Sequence, residues 1–162
     1  MSVFKIYSLE SLTEFPNRSE KLAIFERDPV KGADEFFQNI MINKFKIKGQ
    51  VFRNNSYNHI KSLIESVVPK KVNSEPFYSI WLKDMSNMCK YFCSFLKIES
   101  VGFSLGTERV CKRYHVDNVP MRLLVTYAGK GTEWIPDEFV DRNAYENGLP
   151  NESILKNPSR SK

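Results

Sequence analysis

The sequence is poor in the residues that most often build metal sites and disulfide frameworks. Its 162 residues include only two histidines and three cysteines, and the cysteines stand at Cys89, Cys93 and Cys111. An odd and sparse set of cysteines argues against a disulfide scaffold and is typical of a reducing cytosol. We therefore predict a cytoplasmic protein. A chain of this length buries enough apolar surface to need no covalent staples.

Long apolar runs are also missing. No stretch approaches the roughly 18 apolar residues of a membrane span, and the N-terminal segment MSVFKIYSLESL lacks the pattern of a signal peptide. The net charge is +5, but the 24 lysines and arginines are scattered rather than clustered. Nucleic-acid-binding proteins usually cluster them on one face, so we expect neither a membrane nor a nucleic acid as partner.

Helical periodicity and strand alternation predict an α+β chain. Apolar residues at helical spacing predict helices near 33–42, 57–68 and 81–96, and alternation predicts strands near 45–52 and 101–105. Asp28 and Pro29 fit the N-terminus of the first helix. Two cysteines on the third helix are interpreted as buried thiols. The sequence thus predicts one domain, 1–162, with a mainly helical part, 1–97, and a β-rich part, 98–162.

Polar chemistry is concentrated in one stretch, Cys111–Pro136, with the sequence CKRYHVDNVPMRLLVTYAGKGTEWIP. If the start of this stretch is extended, His115 and Asp117 project side by side from one face, while Tyr114 and Val116 point to an apolar layer. One histidine and one carboxylate are two of the three ligands of a non-haem Fe(II) site. A histidine that is merely oriented by its neighbouring carboxylate fits the same spacing.

A strand signal follows these two residues. After Pro120, the alternation over 121–127 predicts a strand with one apolar face and one mixed face that carries Arg122. Gly129 and Gly131 predict a turn. Small jelly-roll barrels of antiparallel strands often carry metal sites at their mouths.

Cys111 opens a second interpretation of the same stretch. In an unbroken strand, Cys111 shares a face with His115 and Asp117, and a thiolate ligand favours zinc over iron. Arg113 lies between them and is predicted to pair with Asp117 or to hold an acidic substrate. The other histidine, His59, lies on the flank of a predicted helix and is interpreted as a hydrogen-bonded surface residue rather than as a third ligand.

The stretch strongly resembles an uncharacterised bacterial family, the domain-of-unknown-function family number 1826. Its members carry Cys-x-x-Phe-His-Val-Asp-x-Val-Pro-x-Arg-Leu, followed by Thr-Tyr-x-Gly-x-Gly-Thr-x-Trp-Leu-Pro. This chain has CKRYHVDNVPMRLL and TYAGKGTEWIP, with Tyr114 and Ile135 as mild departures. The resemblance continues back through 81–96 and forward through 140–142 and 151–152.

The resemblance implies a fold and a chemistry. It implies N-terminal helices packed on an antiparallel jelly-roll core (a double-stranded β-helix, cupin-like) of the Fe(II)/2-oxoglutarate oxygenase type. In that fold His115 and Asp117 would bind the metal, and Arg122 or Arg113 would act in catalysis by holding the carboxylate of the co-substrate. The resemblance also implies that Thr132, Glu133 and Trp134 line the mouth. Of these, Thr132 and Trp134 would contact the cofactor together with Arg122.

One departure from the family bears on this expectation. Family members continue with a strand and a Val-His-Arg-Ser-Pro motif, whose histidine would be the third ligand, whereas this chain ends at Lys162. We therefore expect a core that is incomplete at its C-terminus.

Three functions stay open from the sequence. One is an oxygenase of an unknown small-molecule or protein substrate, with Fe(II) and 2-oxoglutarate as cofactors. Another is a non-enzymatic zinc-binding or interaction domain, which the family's association with zinc-homeostasis genes suggests. The last is an inactive remnant whose open sheet edge is covered by a second copy of the chain.

Overall fold

The computed structural model describes residues 3–28, 32–41, 44–108 and 111–156. In chain order the elements are strands β1 (Val3–Ile6) and β2 (Leu22–Phe25), helix α1 (Ala33–Met41), strand β3 (Lys46–Phe52), helices α2 (Ser56–Glu65) and α3 (Pro76–Leu96), strand β4 (Ser100–Gly106), and helices α4 (Arg142–Glu146) and α5 (Asn151–Ile154). Short 3₁₀ helices lie at Glu10–Asn17, Arg53–Asn55, Lys70–Ser74 and Asp137–Phe139.

The chain divides into two compact units. The first comprises Met1–Asp28, Cys111–Arg122 and Gly129–Lys162, and the second comprises Pro29–Val110 and Leu123–Ala128. The motif stretch therefore contributes to both units, and the histidine and aspartate of the motif belong to the first.

Helix α3 organises the second unit. It begins with Pro76, whose fixed φ and missing N–H suit the first helical position. Its buried residues recur every three or four positions: Tyr78, Trp81, Leu82, Met85, Ser86, Cys89 and Cys93. Trp81, Met85 and Cys89 belong to the predicted stripe, whereas its other members, Met88, Phe92, Phe95 and Leu96, are only partly buried. The helix ends where Lys97 takes φ 57°, and the N–H of Ile98 then donates to the carbonyl of Cys93 at 2.9 Å. This is the Schellman ending, here without the usual glycine.

Strands β3 and β4 pair antiparallel along their whole length, from Lys46 opposite Gly106 to Phe52 opposite Ser100. Their alternation sends one face to the core and the other to solvent, as the period of a strand requires. The core residues of the unit come from this inner face and from α1, α2 and α3, and include Phe36, Ile47, Val51, Ile60, Ile64 and Leu82. The helices and strands predicted over 33–105 are thus confirmed, although Pro29 and Ile42 lie outside the described residues.

The first unit contains a parallel pair and a small second core. β1 pairs with β2 from Val3 opposite Leu22 to Ile6 opposite Phe25. Near the C-terminus, α4 and α5 enclose a small apolar core whose buried members are Val140, Ala144 and Ile154. The side chain of Asp141 caps α4 by accepting the N–H of Ala144 at 2.9 Å.

The α+β class is confirmed, but the finer prediction of a jelly roll is not. The described strands form two separate two-stranded sheets. Burial alternates over 121–127, as predicted, yet no strand is assigned there among the described residues. A strand needs a ladder partner as well as alternation, and this segment shows none in the described part. Region 98–162, predicted to be β-rich, has β4 as its one strand in the described ranges.

No helix in the described ranges combines the length and the apolar character needed to cross a bilayer.

Candidate functional site

The segment 112–116, which we call the motif segment, is held by side chains rather than by a sheet. The side chain of Asn151 makes two of the contacts: its Oδ1 accepts the N–H of Tyr114 at 2.9 Å, and its Nδ2 donates to the carbonyl of Lys112 at 2.6 Å. An amide that both accepts and donates mimics the pair of bonds that a neighbouring strand would supply. The first unit thus shapes this segment without a β ladder.

Two further contacts reach the motif segment from the same direction. Arg113 Nη1 donates to the carbonyl of Gly148 at 2.9 Å, and the N–H of Val116 donates to the hydroxyl of Tyr145 at 3.2 Å. Together with the contacts of Asn151, these bonds lie on both sides of His115 in the chain. The residues that position the histidine therefore come from 142–156.

Tyr114 anchors the motif segment in the small core of the first unit. Its ring packs against that core together with Ile135 and Tyr145, and its hydroxyl donates to Glu133 Oε2 at 3.3 Å. The prediction that Val116 also faces an apolar layer is wrong, because its side chain is 69% exposed. The small core takes up Tyr114 alone from this segment.

His115 and Asp117 lie side by side on the surface, as the sequence predicts. His115 Nε2 is 3.4 Å from Asp117 Oδ1, and their side chains are 46% and 33% exposed. The other ring nitrogen, His115 Nδ1, lies 2.8 Å from the carbonyl oxygen of Arg113. A carbonyl only accepts hydrogen bonds, so Nδ1 carries a proton. In the neutral ring, Nε2 is then the nitrogen with the free lone pair.

Asp117 has a cationic partner, but it is not the one predicted. Arg122 Nη1 lies 2.9 Å from Asp117 Oδ1, whereas the guanidinium of Arg113 is engaged by Gly148. A single exposed pair of this kind contributes little to stability. Its importance here is that Arg122 shares the carboxylate oxygen that faces the imidazole.

The other predicted site residues do not join this pair. Cys111 is exposed, and its thiol lies 3.7 Å from the carbonyl oxygen of Arg113. Over the described ranges, no group of three or more His, Cys, Asp and Glu side chains is placed to hold a metal ion. The three-ligand zinc site of Cys111, His115 and Asp117 is thus not assembled.

Two of the residues implied to line the mouth of a barrel, Thr132 and Trp134, show no contact with the pair in the described residues, whereas Glu133 bonds Tyr114 of the motif segment. Thr132 is exposed and Trp134 is half-buried. For the residues that the structure covers, no hydrogen bond, ion pair or ring contact is found between either of them and His115 or Asp117. Their predicted contact with a cofactor stays a prediction.

His59, which lies on α2, has partners of its own in β3 and in the 3₁₀ helix that follows it. Its Nδ1 accepts the N–H of Phe52 at 3.2 Å, and its Nε2 lies 3.2 Å from the side-chain nitrogen of Asn55. This agrees with the interpretation of His59 as a hydrogen-bonded histidine, and it makes His59 a matched control for His115.

The residues present do not fit a complete Fe(II)/2-oxoglutarate site. The facial triad requires two histidines and a carboxylate with open positions between them. Here one histidine and one carboxylate converge, and the arginine proposed for the co-substrate, Arg122, is paired with that carboxylate. We therefore derive no oxygenase step from this geometry.

A comparison with protein families identifies the chain. The family described as proteins of unknown function, DUF1826, matches residues 7–161. The chain belongs to this family. No curated protein and no solved structure matches it. Membership in DUF1826 confirms the family that the motif residues indicate. It lends no support to a jelly-roll core, to an oxygenase activity or to a missing C-terminal segment.

A nucleophile-elbow pattern also occurs in this DUF1826 chain. Gly102, Ser104 and Gly106 have the spacing Gly-x-Ser-x-Gly of a hydrolase. All three lie inside β4, where Ser104 pairs with Lys48 across the ladder. An elbow needs a sharp turn from a strand into a helix, so this serine is a sheet residue.

Sequence reasoning missed the supports of the motif segment. It considered the residues after Pro136 only as possible metal ligands, and found carboxylates alone, whereas Asn151, Tyr145 and Gly148 hold the segment. One signal for Asn151 was available, because the resemblance to the family extends through 140–142 and 151–152 in an otherwise polar tail.

Proposed function

We propose that this protein binds a divalent metal ion through His115 and Asp117, with the remaining coordination positions open to water or to a bound partner. The observation that supports the proposal is the convergence of His115 Nε2 and Asp117 Oδ1 at 3.4 Å while His115 Nδ1 is tied to a backbone carbonyl. Histidines that bind metals almost always donate their other ring N–H to a carbonyl or carboxylate, because that bond fixes the ring and its tautomer.

The tied tautomer leaves His115 Nε2 as an open ligand that faces Asp117. With its proton on Nδ1, neutral His115 presents a lone pair toward the carboxylate of Asp117, and two electron-rich atoms at 3.4 Å repel each other. A metal ion bound by both atoms would replace that repulsion with two attractive contacts. The two side chains are partly exposed, so an ion has access to them.

The ligand types narrow the choice of metal. Imidazole nitrogen suits Zn²⁺ and Fe²⁺, and a single carboxylate is compatible with both. Two protein ligands bind a metal less firmly than the four of a structural zinc site. The proposal therefore describes exchangeable binding by a non-enzymatic domain, and no observation in the described residues favours extending it to the oxygenase reaction or to a jelly-roll core.

Arg122 is expected to compete with the metal. Its guanidinium is 2.9 Å from the same carboxylate oxygen that faces His115, so a bound cation must displace or share that contact. Replacement by methionine, which keeps the length and removes the charge, should therefore strengthen metal binding. A merely structural role for the pair of His115 and Asp117 predicts no such gain.

The test is calorimetric titration of the metal-free, untagged protein with Zn²⁺, and with Fe²⁺ under anaerobic conditions. We expect equimolar binding by the unchanged protein and tighter binding by Arg122→Met. His115→Ala and Asp117→Asn should each weaken binding by roughly tenfold or more, because losing a ligand costs at least as much as losing an orienting partner. His59→Ala, the matched control, should bind as the unchanged protein does.

Two results would overturn the proposal. One is the absence of binding by the unchanged protein. The other is binding that survives in His115→Ala and is lost in His59→Ala, since the ion would then sit on α2.

A further inference from the structure

We infer that Asn151 and Tyr145 are positioning residues for the proposed metal site, and that metal binding is coupled to the docking of residues 142–156 on the motif segment. We call residues 142–156 the C-terminal clamp. This inference rests on the proposed function and adds the element that regulates the site.

The contacts of the clamp bracket the metal-binding histidine. Asn151 bonds the backbone of Lys112 and Tyr114, and Tyr145 accepts the N–H of Val116. These three residues surround His115 on both sides. Because the motif segment has no strand partner in the described residues, these side chains fix the backbone from which the imidazole projects.

Arg113 links the clamp to the imidazole directly. Its guanidinium donates to the carbonyl of Gly148, and its own carbonyl accepts the Nδ1 proton of His115. The bond that sets the tautomer of His115 therefore depends on a residue whose side chain is held by the clamp. If the clamp undocks from the motif segment, the guanidinium of Arg113 loses its contact with Gly148. The imidazole of His115 then loses the support that orients Nε2.

The clamp is built to present these groups in fixed positions. Gly148 has φ 72°, a conformation that L residues rarely adopt, and it ends α4 with the N–H of Leu149 donating to the carbonyl of Ala144 at 3.0 Å. Ala144 and Ile154 belong to the small core, which ties α4 to α5. The clamp thus behaves as one element, and its docking brings all of these contacts together.

The coupling between metal binding and docking of the clamp follows from thermodynamic linkage. The motif segment is held by a few hydrogen bonds and by the partly buried ring of Tyr114, and segments with so few buried contacts open locally at lower cost than a core helix. If the ion binds only when the motif segment is docked, it must stabilise docking by the same factor by which docking strengthens binding. The clamp would then report whether the site is occupied.

The variants that test this change single contacts. Tyr145→Phe removes only the hydroxyl that accepts the N–H of Val116 and keeps the ring in the small core. Asn151→Asp keeps an oxygen for Tyr114 and removes the donor to Lys112. The control is Tyr7→Phe, at a residue that is 88% exposed in the same unit.

We expect Tyr145→Phe and Asn151→Asp to weaken Zn²⁺ binding by roughly 10- to 100-fold, the usual effect of losing an orienting partner, while Tyr7→Phe does not. Zn²⁺ should also slow amide hydrogen exchange in the clamp of the unchanged protein, and it should have no such effect in His115→Ala. In the metal-free protein, the ring resonances of His115 should shift in Tyr145→Phe and stay in place in Tyr7→Phe.

The outcomes separate the two proposals. The first outcome is that the unchanged protein binds Zn²⁺, that Tyr145→Phe and Asn151→Asp bind it equally well, and that Zn²⁺ does not slow amide hydrogen exchange in the clamp. This outcome would overturn the inference but not the proposed metal site. No binding by the unchanged protein, with His115 resonances that still shift in Tyr145→Phe, would overturn the metal site and support the positioning role. If the unchanged protein does not bind Zn²⁺ and the His115 resonances do not shift in Tyr145→Phe, both the metal site and the positioning role are overturned.

Discussion

Tyr127 shows at the scale of one residue how the motif stretch serves packing as well as polar chemistry. Its hydroxyl donates to Asp84 Oδ2 at 2.6 Å. Its ring lies 5.9 Å from that of Phe37 and 6.1 Å from that of Trp81, inside an aromatic cluster of the second unit. The sequence predicts Tyr127 as a strand residue, yet its role is to fix segment 123–128, to which no strand is assigned, against α3.

Tyr127→Phe should lower the free energy of unfolding by about 1.5 kcal/mol, the lower end for a hydrogen bond to a charged group, because Tyr127 and Asp84 are only partly buried. Chemical denaturation followed by tryptophan fluorescence measures the change. Tyr57→Phe is the control, since Tyr57 is exposed on α2 of the same unit. Equal losses in the two variants would contradict the special role of Tyr127.

His115 shows which of its contacts the sequence predicts and which it does not. The two-residue spacing to Asp117 predicts that the side chains are neighbours, and the structure confirms it. The spacing carries no information about Arg122, which pairs with Asp117, or about Arg113, which does not. Those pairings depend on the path of the backbone over the next several residues, which the spacing of two residues does not describe.

At the scale of elements, the paired strands β3 and β4 place two glycines in opposite environments. A Cβ on Gly49 would lie 2.8 Å from Leu63 Cδ1 of α2, so the small residue lets the helix approach the sheet. A Cβ on Gly102 would meet nothing within 4 Å, and its φ is not in the left-handed region. The same substitution therefore has opposite consequences on neighbouring strands.

Gly49→Ala should lower the free energy of unfolding by about 1–2 kcal/mol, because the added methyl forces Leu63 to move. Gly102→Ala should raise it by about 0.4–1 kcal/mol, because alanine restricts the unfolded chain and fits the native strand. Urea denaturation of both variants measures the pair of changes. A loss of stability in Gly102→Ala would show that something other than solvent lies over that position.

At the scale of the whole molecule, the second unit buries groups that must stay neutral. Cys89 and Cys93 are buried on α3, and burial raises the pKa of Cys89 to about 11 and also raises the pKa of Cys93. Burial likewise raises the pKa of Tyr78 to about 12. The buried-thiol interpretation of the two helical cysteines is thus confirmed, whereas Cys111 is exposed.

These pKa values predict that the protein loses stability in alkali. A thiol whose pKa is raised by folding holds its proton where the unfolded chain has lost it. Stability from Cys89 is therefore complete below about pH 9 and is lost as the pH rises toward 11. Denaturation midpoints from pH 7 to 11 should fall over this range and fall less steeply in Cys89→Ala.

Cys111→Ala supplies the control for this prediction. Its thiol is exposed, so the variant should keep the full alkaline fall of the unchanged protein. An identical pH profile in Cys89→Ala and Cys111→Ala would contradict the role of the buried thiol.

The sequence by itself determined the elements of the second unit and the family of the whole chain. Helix α3 and strands β3 and β4 follow from apolar periodicity, because each periodicity reports which face of a local element is buried. The motif residues determined membership in DUF1826, since a long conjunction of residue types is specific where His115 and Asp117 alone are not.

Only the tertiary structure decided the conformation and the contacts of the motif stretch, Cys111–Pro136. The alternation over 121–127 has the pattern of a strand, but a strand also requires a partner from elsewhere in the chain, and local pattern carries no record of one. The motif segment is instead held by Asn151 and Tyr145, which lie about 30 to 40 residues away and look like ordinary polar tail residues. Side-chain contacts of such long sequence separation are fixed by packing, so no local rule predicts them.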